Sequence, residues 1–199
     1  METRKAAGGA FSGSEAVKAA FLQLLEERPL REITVKDIVQ TGGVNRNTFY
    51  YHYKDLPALL EEIIMDQADR IIAEQGPALT LTGCMETVVR FAQTHRQAVL
   101  HINQSAHRDL FELCLMRVCR RVVEDFAAAA IGSLRLRPED REAIVRFYQC
   151  ECFGQVVEWL NSGMRYDIAG QFRRICQLGE GMTELLLRRA RLAAEGGPD

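Results

Sequence analysis

TVKDIVQTGGVNRNTFYYHYKDLPALL, residues 34–60, is the stretch whose reading decides the fold. Thr34 followed three residues on by Asp37 is a capping-box start, and Val35, Ile38 and Val39 give the short helix behind it a buried side. Gly42-Gly43 ends that helix, because glycine takes positive φ without a Cβ penalty. Asn45 is a good N-cap for a second short helix. Asp55 caps another, with Pro57 in its first turn, where a missing N–H costs nothing. A short helix, a glycine turn and a second short helix are the makings of a helix-turn-helix.

The aromatic crowd in that second helix has to be divided. At about 100° per residue Phe49 and Tyr53 share one side, where Val44 and Leu56 can join them. Arg46, Asn47, Tyr50 and Tyr51 spread around the other. Arginine can grip guanine and asparagine adenine in bidentate fashion. Thr48, Tyr50 and His52 offer hydroxyl or ring donors to phosphate oxygens, which fix register rather than sequence. A helix anchored on one face and reading DNA with the other accounts for both halves of its composition.

Helical signals run outward in both directions. Ser12 with Glu15 forms another capping box, and Val17, Ala20, Phe21, Leu24 and Leu25 mark one apolar face before Pro29. Downstream, Leu59, Leu60, Ile63, Ile64, Ala68, Ile71 and Ile72 make a long stripe that Gly76-Pro77 should stop. Further helices are expected near 83–93, 95–104, 107–131, 138–162 and 167–194. Alternating β-branched runs and hairpin turns do not occur in the sequence, so strands are not expected. The expected fold is all-α: a three-helix helix-turn-helix domain at 12–58, joined by a long helix to a helical domain at 59–195.

Bulk properties narrow the function. The 199 residues are 47% hydrophobic and 26% charged, the balance of a soluble globular chain rather than a membrane or disordered one. Net charge is −2, with +1 over residues 1–56 and −3 over the remainder, a small asymmetry in the direction expected of a DNA-binding head. METRKAAGGAFSGS carries no apolar stretch of the signal-peptide kind, so the cytoplasm is the expected compartment. Six cysteines, at 84, 114, 119, 150, 152 and 176, form no zinc-type pair and read as small buried hydrophobes. No nucleophile elbow, HExxH or phosphate-cradling loop is present, and neither an enzyme activity nor a cofactor or metal is expected.

ITVKDIVQTGGVNRNTFYYHYKDLPALL resembles the DNA-binding domain of the tetracycline-repressor-like (TetR/AcrR) family of transcriptional regulators. The likeness covers roughly residues 14–60, and the run from Gly43 to Lys54 carries its signature. The resemblance implies that Thr34 and Val35 open a helix bracing the DNA backbone, and that Lys36 touches a base or phosphate. It places Arg46 and Asn47, after the cap Asn45, at base-reading positions, and Thr48, Tyr50 and His52 at phosphates with Tyr51 beside them. Two residues depart from the family pattern. Leu56 stands where a phosphate-contacting lysine is usual, leaving Lys54 or the following helix N-terminus to substitute. Tyr53 replaces the commoner Phe and brings a hydroxyl that needs a partner.

The resemblance also implies a homodimer reading a palindromic double-stranded DNA operator, usually as a repressor, and a small-molecule effector bound in the C-terminal domain. Candidate pocket residues are Phe91, His95, His101, Phe111 and Cys114, with Phe126, Phe147, Tyr148 and Cys150. Their mixed apolar and weakly polar character suggests a small, mostly apolar effector. Phe153, Val157 and Leu160 on one late helix, and Ile175, Leu178, Met182, Leu185 and Leu186 on the last, are the candidate interface; helix stripes alone leave burial within one chain open. VVEWLNSGMRYD, residues 156–167, resembles C-terminal domains of the dihydroxyacetone-operon regulator type. The competing reading is a helical ligand-binding or adaptor protein with impaired DNA binding, consistent with Leu56.

Overall fold

The computed structural model describes residues 13–75, 80–132 and 134–195. Within them the chain runs α1 (Gly13–Glu27), a 3-10 turn (Leu30–Glu32), α2 (Val35–Thr41), α3 (Arg46–His52) and α4 (Leu56–Gln75). There follow α5 (Leu81–Thr94), α6 (Arg96–Asn103), α7 (Arg108–Ile131), α8 (Pro138–Asn161), α9 (Ile168–Leu178) and α10 (Met182–Glu195). No strand occurs among the described residues. Ser12 of the first capping box, and Gly76-Pro77 beyond α4, lie outside them.

Local chemistry sets the early boundaries. The Thr34 hydroxyl accepts from the Asp37 N–H at 3.3 Å, while the Thr34 N–H and hydroxyl donate to the Asp37 carboxylate at 2.9 and 2.6 Å. Those bonds, with Arg28 3.3 Å from the same carboxylate, hold the Asp37 pKa below its ordinary value. Gly43 then takes φ +63°, turning the chain into α3. Gly42 sits against α1, where an added Cβ would lie 3.0 Å from the Ala16 carbonyl and 3.3 Å from Ala20. Asn45 caps α3 by accepting from the Thr48 N–H at 2.8 Å.

Removing the α2 cap should be measurable. Thr34→Ala is expected to lower stability by roughly 0.5–2 kcal/mol at neutral pH. A carboxylate whose pKa is depressed on folding contributes stability above its unfolded-state value and loses it as pH falls through the folded-state one. The gap between wild type and variant should therefore narrow in acid. Denaturant melts of both at pH 7 and pH 3 check this, and a gap unchanged in acid would contradict it.

One core runs through the molecule. Val17, Phe21, Leu25, Ile38, Phe49 and Leu59 are buried in its N-terminal part, and Phe111, Val123, Val145, Trp159 and Phe172 in its C-terminal part. The α1 helix packs on α2, α3 and α6; α4 packs on α5 and α7; and α7 and α8 form the most extensive helix pair. At the end of α8, Gly163 and Met164 both have positive φ, and the Trp159 indole N–H donates to the Tyr166 carbonyl at 3.0 Å. That turn sends α9 back across α5.

The single helix expected over 167–194 is two. The chain breaks at Gly179–Gly181, with Gly181 at φ +80°, and α10 restarts at Met182. Leu187 alone is buried among the described residues of α10. Its Leu185 and Leu192, with Met182, Leu178 and Ile175 before them and Phe147 on α8, are exposed apolar side chains.

Candidate nucleic-acid interface and ligand cavity

The α3 helix is fastened from behind. Phe49 is fully buried, with Tyr53 beside it at a ring separation of 5.8 Å and Tyr50 edge-on at 5.3 Å. The Tyr53 hydroxyl finds two partners, Ser14 of α1 at 2.6 Å and Glu62 of α4 at 3.1 Å. Lys18 of α1 completes the cluster, 2.7 Å from Glu62 and 2.5 Å from Asp66. Burial pulls the Lys18 pKa down, but hydrogen bonds to Asp66 and Glu62 outweigh it and raise it above the ordinary value. The ammonium thus stays charged and ties α1 to α4, while the hydroxyl that departs from the family pattern ties in α3.

The opposite side of α3 is open. Arg46, Asn47, Tyr50, Tyr51 and His52 are exposed, with Tyr51 at 85%. The Arg46 guanidinium donates to the Tyr50 hydroxyl at 3.3 Å and stands 5.5 Å from the ring centre, a cation–π pair one helical turn apart. Tyr51 and His52 meet edge to face at 4.9 Å. Thr48 is half-buried and its hydroxyl donates to the Asn45 side chain at 3.1 Å. Thr34 and Lys36 are exposed at the start of α2, and Val35 is half-buried against the core.

Leu56 begins α4 and packs against the core. The Asp55 carboxylate accepts from the Ala58 N–H at 2.9 Å, placing a negative charge at the α4 N-terminus. A phosphate there would meet that charge, while Lys54 is exposed just before it.

The expected pocket residues do not share one cavity. Phe91, His95 and Phe111 line a space of about 110 Å³ between α1 and α4 on one side and α5 to α8 on the other. His101 does not line it: its ring Nδ1 donates to the Leu25 carbonyl at 2.8 Å, holding α6 to the end of α1. Cys114 is fully buried in the packing of α7 and does not reach the cavity. Phe126, Phe147 and Tyr148 line a second, larger hollow of about 480 Å³ beside the α9–α10 break. Cys150 faces outward with Glu142 and Arg146. Sequence reading missed the contributions to the first cavity of Leu22 on α1, in the N-terminal domain, and of Leu60, Ile63 and Ile64 on the connecting helix α4.

Of the expected interface residues, Leu160 is buried inside its own chain, packed with Trp159 and Val156. Phe153, Val157 and Leu186 are half-buried, whereas Ile175, Leu178, Met182 and Leu185 are exposed, Leu178 at 64%. The cysteines are free thiols. Burial pushes Cys84 up to about 11 and Cys119 and Cys152 up to about 12, so all three remain protonated at neutral pH. Cys150 and Cys176 are exposed, against the expectation of buried hydrophobes.

Comparison with known proteins gives this arrangement its context. Residues 18–63 match the family model described as bacterial regulatory proteins, tetR family. Residues 80–181, just over half of the chain, match the TetR model described as transcriptional regulator C-terminal region. The chain belongs to the TetR family. Among relatives of this TetR regulator, YxbF, an HTH-type transcriptional regulator of Bacillus subtilis (strain 168), is 23% identical over 158 residues, covering 75% of this chain and 40% of YxbF. EthR, an HTH-type transcriptional regulator of Mycobacterium tuberculosis, is 34% identical over 64 residues, 32% of this chain and 28% of EthR. The chain thus spans less than half the length of these relatives.

Two solved structures share the fold. The dihydroxyacetone kinase operon activator DhaS superposes with a TM-score of 0.66 at 16% identity, over 90% of this chain and 97% of DhaS. A TetR regulator from Rhodococcus sp. RHA1 gives 0.56 at 19% identity, over 84% and 96%. No described helix is long and apolar enough to cross a membrane.

Proposed function

We propose that this TetR regulator works in the cytoplasm as a homodimer, holding a palindromic operator with two copies of α3 and releasing it when an effector occupies the C-terminal domain. The observation carrying this reading is the division of α3: Phe49 and Tyr53 are buried, while Arg46, Asn47, Tyr50 and Tyr51 face outward with no core to fill. Dimeric regulators of this kind place their reading helices about 34–36 Å apart, one duplex turn. The exposed stripe of Ile175, Leu178, Met182 and Leu185 is the surface that supports pairing. Occupancy of the operator would repress, the usual mode of the family.

Mobility-shift titration on DNA upstream of its own gene, at two salt concentrations, tests the reading. Specific binding should be tight and weaken steeply with salt, because phosphate contacts release counterions. Feeble, sequence-blind binding at both concentrations would favour the adaptor reading instead. Within the complex, Arg46→Ala is expected to cost roughly 1–3 kcal/mol on the cognate site and to relax preference at one base position. Equal weakening on every sequence would demote Arg46 to a phosphate contact.

A further inference from the structure

We infer that the cavity between α1–α4 and α5–α8 takes an uncharged ligand with a hydrocarbon body bulkier than the space now open, and that it rejects carboxylates and ammonium ions. The inference rests on the effector reading above and supplies the chemistry of that ligand. It starts from the wall. Among the lining residues there is no Lys, Arg, Asp or Glu, and the surface is built from aliphatic and aromatic side chains such as Leu60, Ile63, Phe91, Val118 and Trp159. An ion brought into such a wall loses its water and gains no partner, which is prohibitively costly.

The polar groups on the wall reinforce the exclusion of anions; against ammonium ions it rests on the apolar wall alone. The Trp159 indole N–H is already given to the Tyr166 carbonyl. His95 lines the cavity, but its Nδ1 is 3.0 Å from the Glu26 carboxylate, so an anionic ligand approaching the ring would also approach Glu26. Gln67 adds one amide. A ligand with a single neutral hydrogen-bonding group, and hydrocarbon elsewhere, matches this set.

Size decides what binding does. An engineered apolar cavity of about 150 Å³ is known to admit benzene; the space here is about 110 Å³. A benzene-sized occupant comes close to filling it, and a longer one has to move a wall or reach out through the open side. One wall is α1 and α4, through Leu22, Ile63 and Ile64, and these are the helices joined to α3 by Tyr53, Glu62 and Lys18. Ligand bulk that moves this wall is passed on to the DNA-reading helix.

The test uses the full chain with three probes of one tail length: 1-decanol below its solubility limit, and decanoate and decylammonium below their micelle concentrations. Decanol at a hundredfold excess over its Kd should raise the melting temperature by about 5–10 °C, and the two ions should leave it unchanged. Val118→Phe and Val99→Phe, which fill the cavity from two different helices, should each abolish the decanol shift. On operator DNA, decanol should weaken binding about 5- to 150-fold. No shift with decanol, an equal or larger shift with either ion, or a decanol shift that survives in both filled variants overturns the inference. Decanol stabilisation of a chain that binds no DNA under any condition would sustain the ligand chemistry and overturn the effector reading. DNA binding that only the ions relieve would do the reverse.

Discussion

Phe49→Ala is expected to cost roughly 3–5 kcal/mol of stability, the range for truncating a fully buried aromatic ring. Phe49 is the pin of the reading head. It has no exposed surface, it meets the Tyr50 ring edge to face and the Tyr53 ring at a tilt, and it joins the cluster formed by α1, α2 and α4. An α3 of seven residues has little helical stability of its own, so its orientation comes from this packing. Sequence-specific binding should vanish with the fold of the head, while the C-terminal helices keep most of their signal. Circular dichroism melts with a mobility shift measure both. A variant that still selects its operator at wild-type affinity would mean that α3 is oriented by something other than Phe49.

Leu178→Glu should have the largest effect on DNA affinity without touching the head. Leu178 is 64% exposed at the end of α9, amid Ile175, Met182 and Leu185. In a paired interface its new carboxylate would be desolvated against apolar neighbours. Two linked reading helices gain about 10²- to 10⁴-fold in avidity over one. Dissociation of the pair should remove that gain from a full palindrome and leave a half-site unaffected. Sedimentation and titration of both DNAs report it together. A variant that stays dimeric would place the interface elsewhere.

The head was legible because its signals are local. Thr34, Asp37, Gly43, Asn45 and Asp55 each act within a few residues of themselves, and all are found at the turns and caps their chemistry requires. The α9–α10 break was concealed by a competing signal. Ile175, Leu178, Met182 and Leu185 keep helical spacing straight across Gly179 and Gly181, so the spacing alone does not reveal the break. Pocket membership lay beyond sequence for another reason. Phe91 and Phe126 look alike in their helices, yet packing sends them to different cavities. Leu160 was ambiguous in the same way, since an apolar stripe does not say which chain covers it.

The α4 helix serves two masters with neighbouring carboxylates. Glu62 and Asp66 reach Lys18 of α1, whereas Glu61 and Asp69 pair with Arg117 and Arg121 of α7. Anyone moving this head onto another C-terminal domain should note where that leaves the seam. A junction drawn at the foot of α4 would strand Lys18 opposite a foreign surface. A graft that carries α4 as far as Asp66 keeps the head's own ties and leaves Asp69 with Arg121, at the cost of taking Glu61 away from Arg117.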